Sequence, residues 1–238
     1  MSPALPGVAA PALSVVAPCY DEERSLPAFV ERMIAACDGL GVSYEIVLVN
    51  DGSRDRTWDC IKAFAASRPA IVGVSLSRNH GHQLAVSAGL SLARGERVLI
   101  IDADLQDPPE LLGAMMARMD QGYDVVYGRR AKRIEESRFK LLTASLFYRL
   151  LNALSDVSIP RDTGDFRLMT RSVVDRLNMM PERDRFIRGM VAWLGGRQTE
   201  IVYDRDARFA DRSKYTLLKM VRLAVDGITS FSTAPLRA

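Results

Sequence analysis

Cysteine, histidine and aromatic side chains are scarce in this 238-residue chain, and each shortage removes a class of function. Cys19, Cys37 and Cys60 are odd in number and form no C-x-x-C, which favours a reduced compartment over a disulfide scaffold. His80 and His82 have no third ligand nearby and make a poor zinc site; a loop near bound phosphates is the better reading of His80-Gly81-His82. Aromatics are 7% of the chain and do not interleave with its basic residues, so no base-stacking platform for nucleic acid is present. Trp58, Trp193 and the pair Met179-Met180 read as core. No G-x-G-x-x-G follows the first apolar run and there is no Walker loop, which disfavours a Rossmann dehydrogenase and a P-loop kinase. The uncharged stretch Ser2–Tyr20 holds Pro3, Pro6, Pro11 and Pro18 and lacks a basic n-region, so it is neither a membrane span nor a signal peptide. Met1–Pro11 reads as a disordered leader.

A hydrophobic content of 48% can bury one substantial core. The net charge of +3 conceals an asymmetry. Residues 1–128 carry 10 Lys+Arg against 16 Asp+Glu, whereas residues 129–238 carry 22 against 13. The basic back half therefore meets something anionic: phosphates, a membrane surface or nucleic acid.

The chain is organised around Arg97–Glu110, R-V-L-I-I-D-A-D-L-Q-D-P-P-E. Val98–Ile101 has the wholly apolar pattern of a strand buried on both faces of a parallel sheet. In an extended chain, residues two apart share a side, so Asp102, Asp104 and Gln106 converge on one point. Three oxygen ligands at a strand mouth suit Mg²⁺ or Mn²⁺, and two carboxylates there repel unless something positive joins them. Asp107-Pro108-Pro109-Glu110 reads as a helix start with an N-cap acid and a capping-box glutamate.

Strands are expected at Leu13–Pro18, Glu45–Asn50, Ile71–Leu76, Val98–Ile101 and Asp124–Tyr127. Helices follow from a Ser25 cap to about Cys37, over Thr57–Ala66, to Ala93, and to near Gly122. Five strand–helix units at even spacing predict a doubly wound α/β sheet, with ligands outside the carboxyl ends of its strands. Beyond Gly128-Arg129-Arg130 comes a basic loop (Arg129, Arg130, Lys132, Arg133) and an amphipathic helix over Phe139–Leu154. Ser155–Gly164 reads as a mobile loop, Asp165–Met169 and Gln198–Tyr203 as strands, and Arg171–Leu177 and Phe186–Leu194 as helices. Over Ser213–Phe231, Leu217, Val221, Ala224, Val225 and Ile228 share one helical face, with Lys214, Lys219 and Arg222 off it. That face either docks on the domain or lies on a membrane.

The ordered set V-V-A-P-C-Y-D-E-E, V-N-D-G-S, L-S-R-N-H-G-H-Q-L-A, D-A-D-L-Q-D-P-P-E, G-D-F-R-L-M, P-E-R-D-R-F and R-S-K-Y with G-I-T-S-F-S-T-A-P-L-R runs from Leu13 to Arg237. It closely resembles the family 2, GT-A-fold glycosyltransferases that load a hexose onto dolichyl or undecaprenyl phosphate. The resemblance implies a GT-A catalytic domain over residues 12–212 and a juxtamembrane amphipathic helix over 213–238. In bacterial members membrane helices usually follow, and this chain stops before them. It further implies that Pro18, Tyr20, Glu22 and Asp51 hold base and ribose, with Asn50 standing where the family often has aspartate. Asp102, Ala103 and Asp104 would face the nucleotide-sugar donor, with Asp102, Asp104 and Gln106 on Mg²⁺ or Mn²⁺. Arg129 and Asp104 would serve the chemistry, Arg208 and Lys214 the donor phosphates, and Arg129, Arg138 and Lys140 the lipid phosphate. Asp165 would position the reactants or act as a base.

The implied reaction inverts a hexose as it passes from a nucleoside diphosphate to polyprenyl phosphate at the cytoplasmic face of a membrane, in cell-envelope glycan synthesis. Glucose from a UDP-sugar is the first expectation and GDP-mannose the second. Homo-oligomerisation is left open. Two rivals stand beside it: a family 2 transferase with a soluble acceptor, and a silent nucleotide-sugar or nucleic-acid binding module.

Overall fold

The computed structural model describes residues 10–131, 163–183 and 185–204. The leader through residue 9, the helix expected over Phe139–Leu154, the tail helix, and Arg138, Lys140, Arg208 and Lys214 lie outside the described residues. Strands β1 (Leu13–Cys19), β2 (Tyr44–Asn50), β3 (Ile71–Ser75) and β4 (Arg97–Ile100) alternate with helices α1 (Leu26–Asp38), α2 (Thr57–Ser67) and α3 (His82–Leu92). A 3₁₀ turn, Pro109–Leu111, then leads into α4 (Leu112–Asp120) and β5 (Val125–Arg130). After them come β6 (Thr163–Thr170), α5 (Arg171–Met179), α6 (Ile187–Leu194) and β7 (Gln198–Tyr203).

The apolar runs behave as two-sided strands must. Every residue of β1 is buried, and its alternation feeds two layers. Leu13, Val15 and Ala17 pack with α1, α2 and α4 through Phe29, Met33, Ile61, Leu112 and Met115. Val16 packs on the other face with Val86, Leu90, Val173, Val174, Leu177 and Met190 of α3, α5 and α6.

The seven strands take the order β3-β2-β1-β4-β6-β5-β7. β1 to β4 are parallel neighbours in the expected doubly wound manner. β6 enters antiparallel between β4 and β5 and pairs with both. Its register, Ile100↔Arg167, carried two residues further, brings Asp165 level with Asp102. A residue at the start of β6 thus reaches the carboxyl rim of the parallel strands because its strand runs the other way.

At the opposite, amino-end rim a second polar cluster is closed. Glu45, 3% exposed, accepts from Ser14 Oγ at 2.6 Å and from the Arg94 backbone N–H at 2.7 Å on Oε1. Its Oε2 accepts from Arg94 Nε at 2.9 Å and Nη2 at 2.7 Å. Ser14 Oγ also accepts from Gly95 N, and Arg171 donates twice to Gly95 O. Both carboxylate oxygens are saturated by matched donors, the condition under which a buried charge is tolerated.

Three local expectations are corrected. Ser25 precedes α1 but makes no side-chain cap; its hydroxyl bonds to Glu22. Asp107 is not an N-cap, since no side-chain cap bond is made at Pro109 or Leu112; it is buried, and Glu110 instead forms a two-pronged pair with Arg32 on α1. Trp193 and Met179 are 60% and 74% exposed rather than core, while Trp58 is partly buried against the core as expected.

Candidate active site

The parallel strands deliver the predicted residues to one rim. Pro18 is the penultimate residue of β1, Tyr20 and Glu22 follow it, Asp51 follows β2, and Asp102, Ala103, Asp104 and Gln106 follow β4. The first two loops are laced by reciprocal bonds between side chains and backbone. Asp21 N and Glu22 N donate to Ser53 Oγ (3.1 Å) and Thr57 Oγ1 (2.8 Å), while Glu23 N donates to Asp55 Oδ2 (3.1 Å). In return, Arg54 N donates to Asp21 Oδ1 and Arg56 N to Glu23 Oε2. Asp51 is 3% exposed and heavily engaged, accepting from the backbone N–H of His80 (2.7 Å) and Gly81 (3.0 Å) and from Asn79 Nδ2 (3.0 Å). It pins the loop ahead of α3, which places His80-Gly81-His82 at the rim.

Beyond β4 the chain does not stay extended. Residues 103–105 turn, Leu105 adopts φ 63°, and Gln106 N donates to Asp104 Oδ1 at 3.1 Å. The alternation that would align Asp102, Asp104 and Gln106 is therefore replaced by a turn, although all three remain in one short loop. Asp102 Oδ1 is buried without a hydrogen-bond partner. Burial, together with the like charges of Asp107, Asp104 and Asp165 and against the pull of His82, holds the Asp102 carboxyl above the usual carboxylate range. A buried, orphaned carboxylate oxygen beside further acids has the donor chemistry of a hard-cation site. Among the described residues no cluster of three or more His, Cys, Asp or Glu is by itself arranged to hold a metal.

Asp165 sits at the centre of a cationic cradle that sequence reasoning missed. His82 Nε2 lies 3.0 Å from its Oδ2, Gln83 Nε2 donates to the same oxygen at 2.9 Å, and Arg188 Nε donates to Oδ1 at 2.9 Å. Gln83 also accepts from Ile187 N, tying α6 to α3. Burial would raise the Asp165 carboxyl, but Arg188, then His82 and Arg167, outweigh it and hold it well below its usual range. Burial would lower His82, but Asp102, 3.6 Å away, and Asp165 push it up to about 9. His82 is therefore an imidazolium at neutral pH, standing between two carboxylates. The usable signal was H-G-H-Q at the opening of a helix.

Arg129 and Arg130 diverge, as neighbours on a strand do. Arg129 pairs with Glu200 at 2.9 Å and is not drawn into the acidic cluster. Arg130 lies 3.7 Å from Asp107, whose Oδ1 also accepts from the Tyr203 hydroxyl. Cys19, 1% exposed, forms part of the floor; burial and then Glu22 and Asp102 push its thiol upward, so it is no nucleophile.

A mostly parallel α/β sheet with acids clustered at the mouth of a central strand defines the class: a GT-A-like enzyme. The chain belongs to glycosyl transferase family 2, whose model matches residues 14–177. It is a glycosyltransferase. It is 45% identical over 224 residues to the Bacillus subtilis uncharacterized glycosyltransferase YkcC, covering 94% of this chain and 69% of that one. It is 41% identical over 225 residues to the bactoprenol glucosyl transferase of Shigella phage SfV, covering 94% and 73%. In fold it is similar to Mycobacterium tuberculosis glucosyl-3-phosphoglycerate synthase in complex with Mn²⁺, UDP-glucose and phosphoglyceric acid, with a TM-score of 0.61 at 22% identity over 92% of this chain and 79% of that one. The mannosyltransferase PcManGT of Pyrobaculum calidifontis, in complex with GDP-mannose and Mn²⁺, gives 0.55 at 22% identity over 82% and 57%. Among the described residues no helix is long and apolar enough to cross a membrane.

Proposed function

We propose that this glycosyltransferase moves glucose from a UDP-sugar to the phosphate of a polyprenol, inverting the anomeric centre, at the cytoplasmic face of a membrane. The observation that carries the catalytic half is Asp102 Oδ1 beside Asp104, buried with no hydrogen bond and with only the His82 ring 3.6 Å away. The polyprenyl acceptor draws its support from relatives whose names specify bactoprenol at 40–41% identity. In this reading Asp102, Asp104 and Gln106 hold a Mg²⁺ or Mn²⁺ ion, which supplies Lewis-acid neutralisation of the leaving diphosphate. Pro18, Tyr20, Glu22, Asp51 and Ala103 line the nucleotide-sugar pocket, with Arg208 and Lys214 on its phosphates. Arg129, Arg138 and Lys140 receive the lipid phosphate, and residues 213–238 lie along the membrane.

The nucleophile needs little help. A phosphate monoester has its second pKa at about 6 and is mostly dianionic at neutral pH. Asp165, with both oxygens engaged and its proton affinity suppressed, is suited to positioning through His82, Gln83 and Arg188 rather than to accepting a proton. His82 adds a fixed positive charge to a rim where two polyanions must meet.

The test is incubation of the protein with labelled UDP-glucose or GDP-mannose, Mn²⁺ and detergent-solubilised undecaprenyl phosphate. Label from UDP-glucose should pass into the lipid phase only when all components are present. Transfer that ignores the lipid, or that proceeds from GDP-mannose alone, overturns the assignment.

A further inference from the structure

We propose that Tyr203 and Asp107 form a latch: they are positioning residues that hold the Asp102–Asp107 loop in its cation-receiving shape. The inference rests on the metal-dependent reading above and assigns a task to two residues outside it. The Tyr203 hydroxyl donates to Asp107 Oδ1 across 96 residues of chain, joining edge strand β7 to the loop after central strand β4. Asp107 is 1% exposed and Tyr203 6%, so neither is there to meet solvent.

The slot around this bond is purpose-shaped. A Cβ at Gly128 would stand 2.6 Å from the Phe166 ring and 2.8 Å from the Tyr203 ring. A Cβ at Gly164 would stand 2.9 Å from an Arg130 guanidinium nitrogen. The two glycines clear room for the phenol and for the guanidinium that backs Asp107 at 3.7 Å. Phe166 meets the Tyr203 ring edge-on, with centroids 5.8 Å apart, and fixes its angle. Burial and Asp107 push the phenol upward, so it remains a proton donor at any working pH.

The loop needs such an anchor. It holds Leu105 in the left-handed region at φ 63°, where a non-glycine residue stays only if its surroundings over-determine it. It also gathers Asp102, Asp104 and Asp107, whose like charges favour its opening. The Gln106-to-Asp104 bond secures one side of Leu105, and the latch secures the other.

The experiment measures Mn²⁺ affinity in the presence of UDP, by titration calorimetry or electron spin resonance, on the full chain and on folded variants judged by thermal melts. Tyr203→Phe and Asp107→Ala should each weaken Mn²⁺ binding about tenfold, and the double variant should be no worse than the weaker single one, since either change already breaks the shared bond. If one single variant fails to fold, the other carries the test. Tyr44→Phe is the control, because it removes a similar bond (Tyr44 to Asp38, 2.8 Å) away from the loop; it should leave Mn²⁺ affinity unchanged. Undiminished Mn²⁺ affinity in Tyr203→Phe, or an equal loss in Tyr44→Phe, refutes the latch and leaves the transferase reading standing. No UDP-dependent Mn²⁺ binding by the unaltered protein removes the cation, and both ideas fall with it.

Discussion

The two ends of the same strands carry buried carboxylates under opposite regimes. At the amino end, Glu45 has a donor for every lone-pair direction it needs, from Ser14 and Arg94. At the carboxyl end, Asp102 keeps one buried oxygen without a hydrogen bond, among three other acids and with a single cation, His82, 3.6 Å away. Both clusters are polar and enclosed, so burial alone does not separate scaffold from site. The separating feature is whether the charge is balanced from within. A closed network stabilises the fold, whereas an unbalanced one costs stability and waits for a ligand to balance it.

The largest expected effect tests the open end. Asp104→Ala should cut sugar transfer about a thousandfold or more, by the several kcal/mol a cation contributes to the leaving diphosphate, well beyond the modest drop in thermal midpoint that loss of the Gln106-to-Asp104 bond brings. Turnover within tenfold of the unaltered enzyme would end the proposed division of labour. Next comes the closed end. Glu45→Gln should cost about 2–3 kcal/mol of unfolding free energy in urea, as buried donors lose a charged partner, while the KM for the nucleotide sugar stays within about twofold. A large KM change would show that the amino rim reports to the site.

Asp165 belongs to the open end but is balanced, and pH distinguishes it. Its carboxyl is depressed in the fold, so its contribution is present above the unfolded value of about 3.9 and is lost as pH falls through the lower folded value. Asp165→Asn should therefore lower stability at neutral pH and remove part of the loss that sets in as pH falls below about 4. An unchanged acid-unfolding profile would contradict the cradle. The smallest effect has the opposite sign. Asp102→Asn should raise the unfolding free energy by about 1 kcal/mol, on top of a loss of transfer like that of Asp104→Ala, because it removes one of several crowded like charges that the single His82 ring does not offset in full. Loss of stability in that variant would mean that Asp102 is balanced after all.

Much of this was legible in the amino-acid order. The runs Leu13–Pro18, Glu45–Asn50 and Val98–Ile101 announce strands with two buried faces, and the structure extends or trims them by a residue or so. The acids after each run identify the carboxyl rim, since parallel strands end on one side. What local pattern does not encode is which strand lies beside which. Asp165–Met169 reads as a strand, but its insertion between β4 and β5 depends on pairing that no period reveals. For the same reason Gln83 and Arg188 stay unassigned and His82 is read only as part of a loop near phosphates: they surround Asp165 from helices about 80 and 20 residues away in sequence. Asp107 was misread because Asp-Pro-Pro-Glu is good helix-start chemistry, and only its burial beneath Tyr203 shows the competing use. The divergence of Arg129 and Arg130 follows from strand alternation, but the expected strand ends at Tyr127 and leaves both in a loop, whereas β5 runs on to Arg130.

Cys19 turns the floor of the site into its own motion sensor. Sealed beneath Glu22 and Asp102 and resistant to ionisation, this thiol meets an alkylating reagent only during excursions that part the first and fourth strands' ends. Its labelling rate, set against that of the partly exposed Cys60, gives the free energy of those excursions with no engineered probe. Slower labelling when a nucleotide sugar is added would measure how firmly the substrate holds that floor shut.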